Sequence, residues 1–153
     1  MAETFMPDSF AIRPLTQDDE APWRALWEGY LAFYETEVPE TVKAETFRRL
    51  LSPDHPDQNA LVAADATGPI GLVHYIFHAH CWRIEPVCYL QDLFTAPQAR
   101  GRGVGRALIA AVYGAADARG APSVYWMTQH FNQTARRLYD DVGQLTPFIK
   151  YVR

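Results

Sequence analysis

The segment Arg100-Gly101-Arg102-Gly103-Val104-Gly105-Arg106 stands between a strand-like run and a long amphipathic helix pattern, and it restricts the available folds more than any other stretch. Glycines at alternate positions let the backbone turn tightly and approach a ligand without Cβ obstruction. The interleaved arginines put positive charge where the next helix begins. A helix N-terminus already offers unpaired N–H groups and the positive end of its dipole. Such a place suits an anion, above all a phosphate or pyrophosphate. Upstream, Val87–Thr95 is rich in strand formers and apolar on both faces, which predicts an interior strand, with Pro97 ending it. Downstream, Val104, Ala107, Leu108, Ala111, Val112, Ala115 and Ala118 recur at three- and four-residue spacing. That spacing predicts an amphipathic helix, with Gly120 and Pro122 marking its end.

Two familiar phosphate loops do not fit. A Walker loop needs a Gly-Lys-Ser/Thr triplet, which the chain lacks, and a Gly-x-Gly-x-x-Gly fingerprint fails at Arg106 or at Leu108. The pattern that does fit is Arg100-x-x-Gly103-x-Gly105. It resembles the Arg/Gln-x-x-Gly-x-Gly/Ala pyrophosphate loop of the GNAT superfamily of acyl-CoA-dependent N-acetyltransferases. Tyr89-Leu90-Gln91-Asp92-Leu93-Phe94-Thr95 resembles that superfamily's fourth strand, and the segment from Asn132 through Ala135 and Arg136 to Tyr139 resembles its fourth helix. The likeness is good over residues 71–153, where Phe148-Ile149-Lys150-Tyr151 resembles the last strand, and is one of pattern only over the first 70. The branch it resembles acetylates polyamines, basic protein tails or amino acids.

The fold class expected is α/β: a GNAT-like central mixed, mostly antiparallel sheet of about six to seven strands, with about four helices on both faces. The rest of the chain can be read in the same way. Phe10–Leu15 predicts a short strand, with Thr16 or Asp18 capping the next helix, and Trp23, Leu26, Trp27, Tyr30, Leu31 and Tyr34 repeat at helical spacing. A second helix is expected over Thr41–Leu51, then a hairpin of Asn59–Asp65 and Gly68–His80. Ser123–Met127 predicts a strand, Gln133–Asp141 a helix, and Pro147–Val152 a last strand. No linker or repeat divides the 153 residues, so a single domain over 1–153 is expected.

Hydrophobic content of 48% and charged content of 21% describe an ordinary globule. A net charge of −4, with the arginines local rather than spread over a face, argues against nucleic-acid binding. No apolar run reaches membrane-spanning length and the first residues lack a signal peptide's basic and apolar regions, so a cytoplasmic protein with no membrane partner is expected. In that compartment Cys81 and Cys88 are expected to stay reduced. A homodimer is left open.

The resemblance implies acetyl-CoA as co-substrate and no metal. Its pyrophosphate would lie on Arg100, Gly101, Arg102, Gly103, Val104, Gly105 and Arg106. Its pantetheine arm would pair with the backbone of Leu93, Phe94 and Thr95, and the Leu93 N–H would polarise the thioester carbonyl. Asn132, Ala135 and Tyr139 share one helix stripe, with Arg136 beside it. An Asn there can bond an amide, a small Ala permits close approach, and Tyr139 can protonate the departing sulfur. Spacing alone favours Asn132 as an N-cap and Tyr139 as a core aromatic, and the resemblance reverses that preference.

The base is the open question. Relatives with a Tyr-Leu-Glu-Asp strand carry Glu where this chain has Gln91, and an amide cannot take a proton. Asp92 is the nearest acid, but alternation points it away from Gln91's face unless a bulge intervenes. His74, His78 and His80 share one parity on the preceding strand, and ordered water is a further route. For the acceptor, position in the superfamily points to Trp27, Tyr30, Tyr34, Glu35, Glu37, His78, Trp82 and Gln91. Aromatics beside carboxylates would suit an ammonium group. The expected activity is acetyl transfer from acetyl-CoA to a primary amine, direct and within a ternary complex. The substrate would be a small amine, an amino acid or a lysine-like side chain on a peptide. A non-catalytic acyl-CoA sensor or regulatory protein is the alternative, and a globule holding some other nucleotide is the third.

Overall fold

The computed structural model describes residues 9–153. Its elements follow the chain as β1 (Ala11–Pro14), α1 (Glu20–Phe33), α2 (Glu40–Leu51), β2 (Gln58–Asp65), β3 (Gly68–His78), β4 (Val87–Thr95), α3 (Val104–Arg119), β5 (Val124–Tyr125) and α4 (Gln133–Val142). The strands lie in sequence order in one sheet, antiparallel from β1 through β4, with β5 parallel to β4. The described sheet therefore has five strands, not six to seven. The correction falls mainly on the expected last strand: residues 144–153 form no strand, and Leu145, Phe148, Ile149, Tyr151 and Val152 are all exposed. The tail carries strand-forming side chains, but among the described residues no strand takes its backbone hydrogen bonds, and a lone strand is not stable in water.

The apolar stripes account for the layers. Trp23, Leu26, Trp27 and Leu31 form the buried face of α1, and Val104, Leu108, Ile109 and Val112 that of α3. Strand alternation sends neighbours on β3 to opposite helices. A Cβ on Gly71 would meet Val104 and Leu108 of α3, whereas His74 is bonded to Trp23 of α1. Helix α1 ends where Glu35 takes a left-handed conformation, φ 56°, and the backbone N–H groups of Tyr34, Glu35 and Thr36 cap its last carbonyls.

Two irregularities on β4 open one side of the sheet and turn a carboxylate across it. Strand β5 pairs with β4 only at Cys88–Val124 and Tyr89–Tyr125, so from Leu90 onward β4 has no strand on that side among the described residues. The β3–β4 register also slips. His74 faces Asp92 but Tyr75 faces Leu90, which leaves Gln91 as an extra residue on β4. This is a β-bulge, and it reverses the expected alternation: Leu90 shares the α3 face with Tyr75, while Asp92 turns to the α1 face with His74. Cys81 is exposed and Cys88 is buried, both as free thiols, and burial pushes the Cys88 thiol up to about 11.

Candidate active site

A cleft of about 480 Å³ opens where β4 and β5 part company. Its floor is Leu93, Phe94 and Thr95, its far end is the loop from Arg100 to Arg106, and its walls are α4 on one side and Tyr30, Phe33 and Tyr34 of α1 on the other. Gly101 and Gly103 both take φ of 81°, a conformation that L side chains rarely adopt, and a Cβ on either would project into open space. Gly103 is the N-cap of α3, so the first N–H groups of that helix face the loop. Two loop arginines remain at the cleft: Arg100 lies 5.7 Å from the Phe94 ring centre with its Nε donating to the Thr95 carbonyl, and Arg106 pairs with Asp141 at 2.9 Å. Arg102 does not line the cleft. It is drawn to Asp65 at 3.1 Å and over the Phe10 ring.

On α4, Asn132, Ala135 and Tyr139 all face the cleft. Asn132 is also the N-cap, its Oδ1 accepting from the Ala135 N–H at 3.5 Å while its Nδ2 donates to Thr128. The two readings of Asn132 are therefore compatible. Arg136 turns away and donates to the His130 carbonyl at 2.7 Å. Tyr139 packs edge-on against Trp126, and burial pushes its phenol up to about 12, so it is a proton holder throughout the neutral range.

A smaller cavity of about 230 Å³ lies under α2, lined by the apolar Trp27, Val38, Val42, Leu50 and Ile76 and by the polar Thr46, Gln58, Asn59, His74, Gln91 and Asp92. Between the two cavities stands a group of tyrosines. Tyr30 and Tyr34 are 5.0 Å apart, Tyr89 and Tyr125 stack at 4.9 Å, and Tyr34 lies close enough to Tyr30, Tyr89 and Tyr139 to act on all three phenols electrostatically. Burial, and next the Asp92 charge, hold the Tyr30 phenol well above its ordinary range. Asp92 itself is 8% exposed, with Oδ2 at 2.8 Å from His74 Nδ1.

The sequence candidates for the acceptor site thus divide. Tyr30 and Tyr34 line the cleft, Trp27 and Gln91 line the cavity beneath α2, and Glu37 and Trp82 are exposed and line neither. His78 is exposed too, held between the Ala79 carbonyl and the Tyr125 hydroxyl. Sequence reasoning did not single out Tyr89 and Tyr125, and it read Trp23 only as one apolar position in a stripe. No local signal marks the tyrosines, because their pairing depends on the β4–β5 register.

A model of the acetyltransferase (GNAT) family matches residues 22–143. A D-amino-acid N-acetyltransferase of Saccharomyces cerevisiae, HPA3, is 38% identical over 152 residues, covering 99% of this chain and 94% of that protein. An N-acetyltransferase of Bacillus subtilis called YhfO, described as uncharacterized, is 29% identical over 143 residues, covering 92% and 94%. Among solved structures, the aminoglycoside N-acetyltransferase AAC(6')-Iy with a bisubstrate CoA analogue superposes with a TM-score of 0.82 at 20% identity, covering 95% of this chain and 97% of that one. At that identity the likeness is one of fold.

Proposed function

The chain belongs to the GNAT acetyltransferase family and is an acetyl-CoA-dependent N-acetyltransferase; from that premise we propose which of its residues carry the reaction. The groups present fit the donor. Backbone N–H groups at a helix start, two left-handed glycines and the Arg100 and Arg106 guanidinium groups suit a pyrophosphate, and the unpaired side of β4 suits an extended amide arm. Acetyl-CoA, when bound, supplies the acetyl group as a thioester. Leu93, Phe94 and Thr95 hold the arm as an added strand would, and the Leu93 N–H donates to the thioester carbonyl oxygen, where negative charge develops. Asn132 orients the arm's amide. Tyr139 keeps its proton on Oη and donates it to the departing sulfur. Asp92 accepts the proton that the amine loses.

The observation that carries an enzymatic reading, rather than a sensor, is the bulge at Gln91. Gln91 stands where relatives with a Tyr-Leu-Glu-Asp strand carry Glu, and the bulge turns the adjacent carboxylate, Asp92, toward the same cavity that Gln91 lines. The acceptor amine sits between Asp92 and the cleft, its cationic form attracted by Tyr30, Tyr34 and Tyr89 before it loses its proton. A single carboxylate in a cavity of about 230 Å³ suits a compact amine or an amino acid, the class named for the yeast relative, better than a long polycation. No helix among the described residues is long and apolar enough to cross a membrane, and a single cytoplasmic domain is the setting this reading adopts. The exposed apolar tail from Leu145 to Val152 and the short edge strand β5 suit pairing with a second copy of the chain. Light scattering on the full chain and on a form ending at Gln144 tests that, with a monomer in both cases refuting it.

The test of the activity is thiol release from acetyl-CoA over a panel of D- and L-amino acids, small diamines and lysine peptides. Turnover with compact amines or amino acids supports the reading. Tight acetyl-CoA binding with no release for any amine favours a sensor.

A further inference from the structure

Three side chains that are remote in sequence meet under α1. Trp23 is wholly buried, His74 is 5% exposed and Asp92 is 8% exposed. Trp23 Nε1 donates to His74 Nε2 at 2.9 Å, and His74 Nδ1 stands 2.8 Å from Asp92 Oδ2. An indole N–H can only donate, so His74 Nε2 must carry the lone pair and the ring's one proton must sit on Nδ1. That proton points at the carboxylate. His74 in this arrangement is a neutral donor, and it cannot accept a second proton without expelling the indole N–H that fills its only lone pair.

We propose that Trp23 and His74 are positioning residues that lock Asp92 as the proton acceptor of the reaction, the indole fixing the imidazole tautomer and the imidazole fixing the carboxylate. This rests on the proposed role of Asp92 and deepens it. The logic is that of a nucleophile–base–orienter chain with the order changed: the carboxylate is the working end and the imidazole is its orienter. His74 holds Oδ2 and the Tyr30 phenol lies against the same carboxylate, so its orientation toward the amine is fixed. The ammonium's N–H bond breaks and its proton passes to Asp92, the nitrogen keeps the electron pair with which it attacks the thioester carbon, and the C–S bond then breaks with the sulfur taking the Tyr139 proton. The bulge at Gln91 is what brings this carboxylate opposite His74.

The same geometry removes His74 from the candidate bases. The groups that face Asp92 are few. β3 contributes His74, and α1 contributes the Tyr30 phenol. β4 contributes Tyr89, which in turn contacts Tyr125 of β5. From α2 and β2, the cavity walls are Val42, Thr46, Leu50, Gln58 and Asn59, none of which titrates. Proton acceptance is therefore assigned to the carboxylate, with the imidazole as its holder.

The test uses steady-state kinetics of the full chain across pH 5–10, with each variant's fold checked by circular dichroism. Asp92→Asn is expected to lower kcat by about 10²- to 10⁴-fold at unchanged KM for acetyl-CoA. His74→Leu, which removes the donor, is expected to lower kcat by about 10- to 100-fold. His74→Asn offers an amide N–H at the place of Nδ1 and should recover most of that loss. Trp23→Phe frees Nε2, so the kcat/KM profile should gain an ionisation near the ordinary histidine value of about 6.5 that the parent lacks. In the parent, ¹⁵N resonances of His74 should report a protonated Nδ1 and a bare Nε2 across the whole range, a reading that needs no variant. The opposite tautomer, or titration of His74 near pH 6.5 in the parent, overturns the proposal. So does a folded Trp23→Phe whose profile matches the parent, or a folded His74→Leu with parental kcat while Asp92→Asn is impaired. Parental activity in Asp92→Asn instead removes the base assignment itself.

Discussion

Gly29 sits in mid-helix, where glycine costs about 1 kcal/mol relative to alanine, and its neighbour explains why. A Cβ at Gly29 would meet Cε1 and Cζ of Phe94 at 2.8 Å. Comfortable carbon–carbon contact begins near 3.5 Å, so in Gly29→Ala the Phe94 ring must retreat by about 0.7 Å. Phe94 lines the donor cleft, and the ring has α1 at its back, so the retreat is toward the ligand. Overpacking of this kind costs roughly 1–3 kcal/mol, which the gain in helix propensity offsets by about 1. We expect Gly29→Ala to destabilise the fold by about 1 kcal/mol in urea unfolding and to weaken CoA binding about 5- to 30-fold by calorimetry. Phe94→Leu in the same chain should relieve both effects, giving a coupling energy of about 1–2 kcal/mol in the double-mutant cycle. A Gly29→Ala protein that is about 1 kcal/mol more stable than the parent and binds CoA equally well would refute the argument.

Gly103→Ala with Gly105→Val should abolish CoA binding in calorimetry. The first forces a Cβ onto a left-handed residue at the loop and the second adds branched bulk against Leu138, and parental affinity would remove the loop from the donor site. Tyr139→Phe is expected to lower kcat by about 10²- to 10⁴-fold with CoA affinity kept, whereas unchanged turnover with a lower Tm would mark a packing residue. Asp19 tests the fold's acid limit. The Arg13 guanidinium at 2.7 Å, with the Thr16 backbone and hydroxyl, holds its carboxyl down at about 2. A depressed value stabilises the fold at pH above the unfolded value of about 3.9, and the contribution is lost as pH falls through about 2. Discounted for the partly exposed Arg13, it amounts to about 1–2 kcal/mol, so Asp19→Asn should cost that at pH 7 and only a small part of it at pH 2 in urea melts.

Much of the local architecture was legible in the chain. Runs of strand formers, a hairpin pattern and 3.6-residue stripes marked β2, β3, β4, α1, α2 and α3 to within a residue or two, and the glycine–arginine run marked the loop that heads α3. These are properties of short segments, set by backbone dihedrals and by which face each side chain takes. Asn132, Ala135 and Tyr139 belong with them, because one helix stripe keeps them together wherever the helix docks. Arg102 and Arg136 shared the same local signals, yet Asp65, 37 residues away, and the His130 carbonyl hold them outside the cleft. A charge in a motif says nothing about a competing partner elsewhere.

The active-site chemistry depended on pairings that no window of sequence contains. Trp23 and His74 lie 51 residues apart, and His74 and Asp92 lie 18 apart. Alternation alone turned Asp92 away from Gln91, and one extra residue on β4 reversed it, because a strand with period two changes face with each single-residue slip. The tail from Leu145 to Val152 shows the converse. Its composition favours a strand, but a strand exists only where another backbone takes its hydrogen bonds, and among the described residues no strand pairs with it. Residue type and spacing decided which segments are helix, strand and phosphate loop. Register and docking decided which carboxylate faces the acceptor and which imidazole holds it, since those follow from the packing of distant segments against one another.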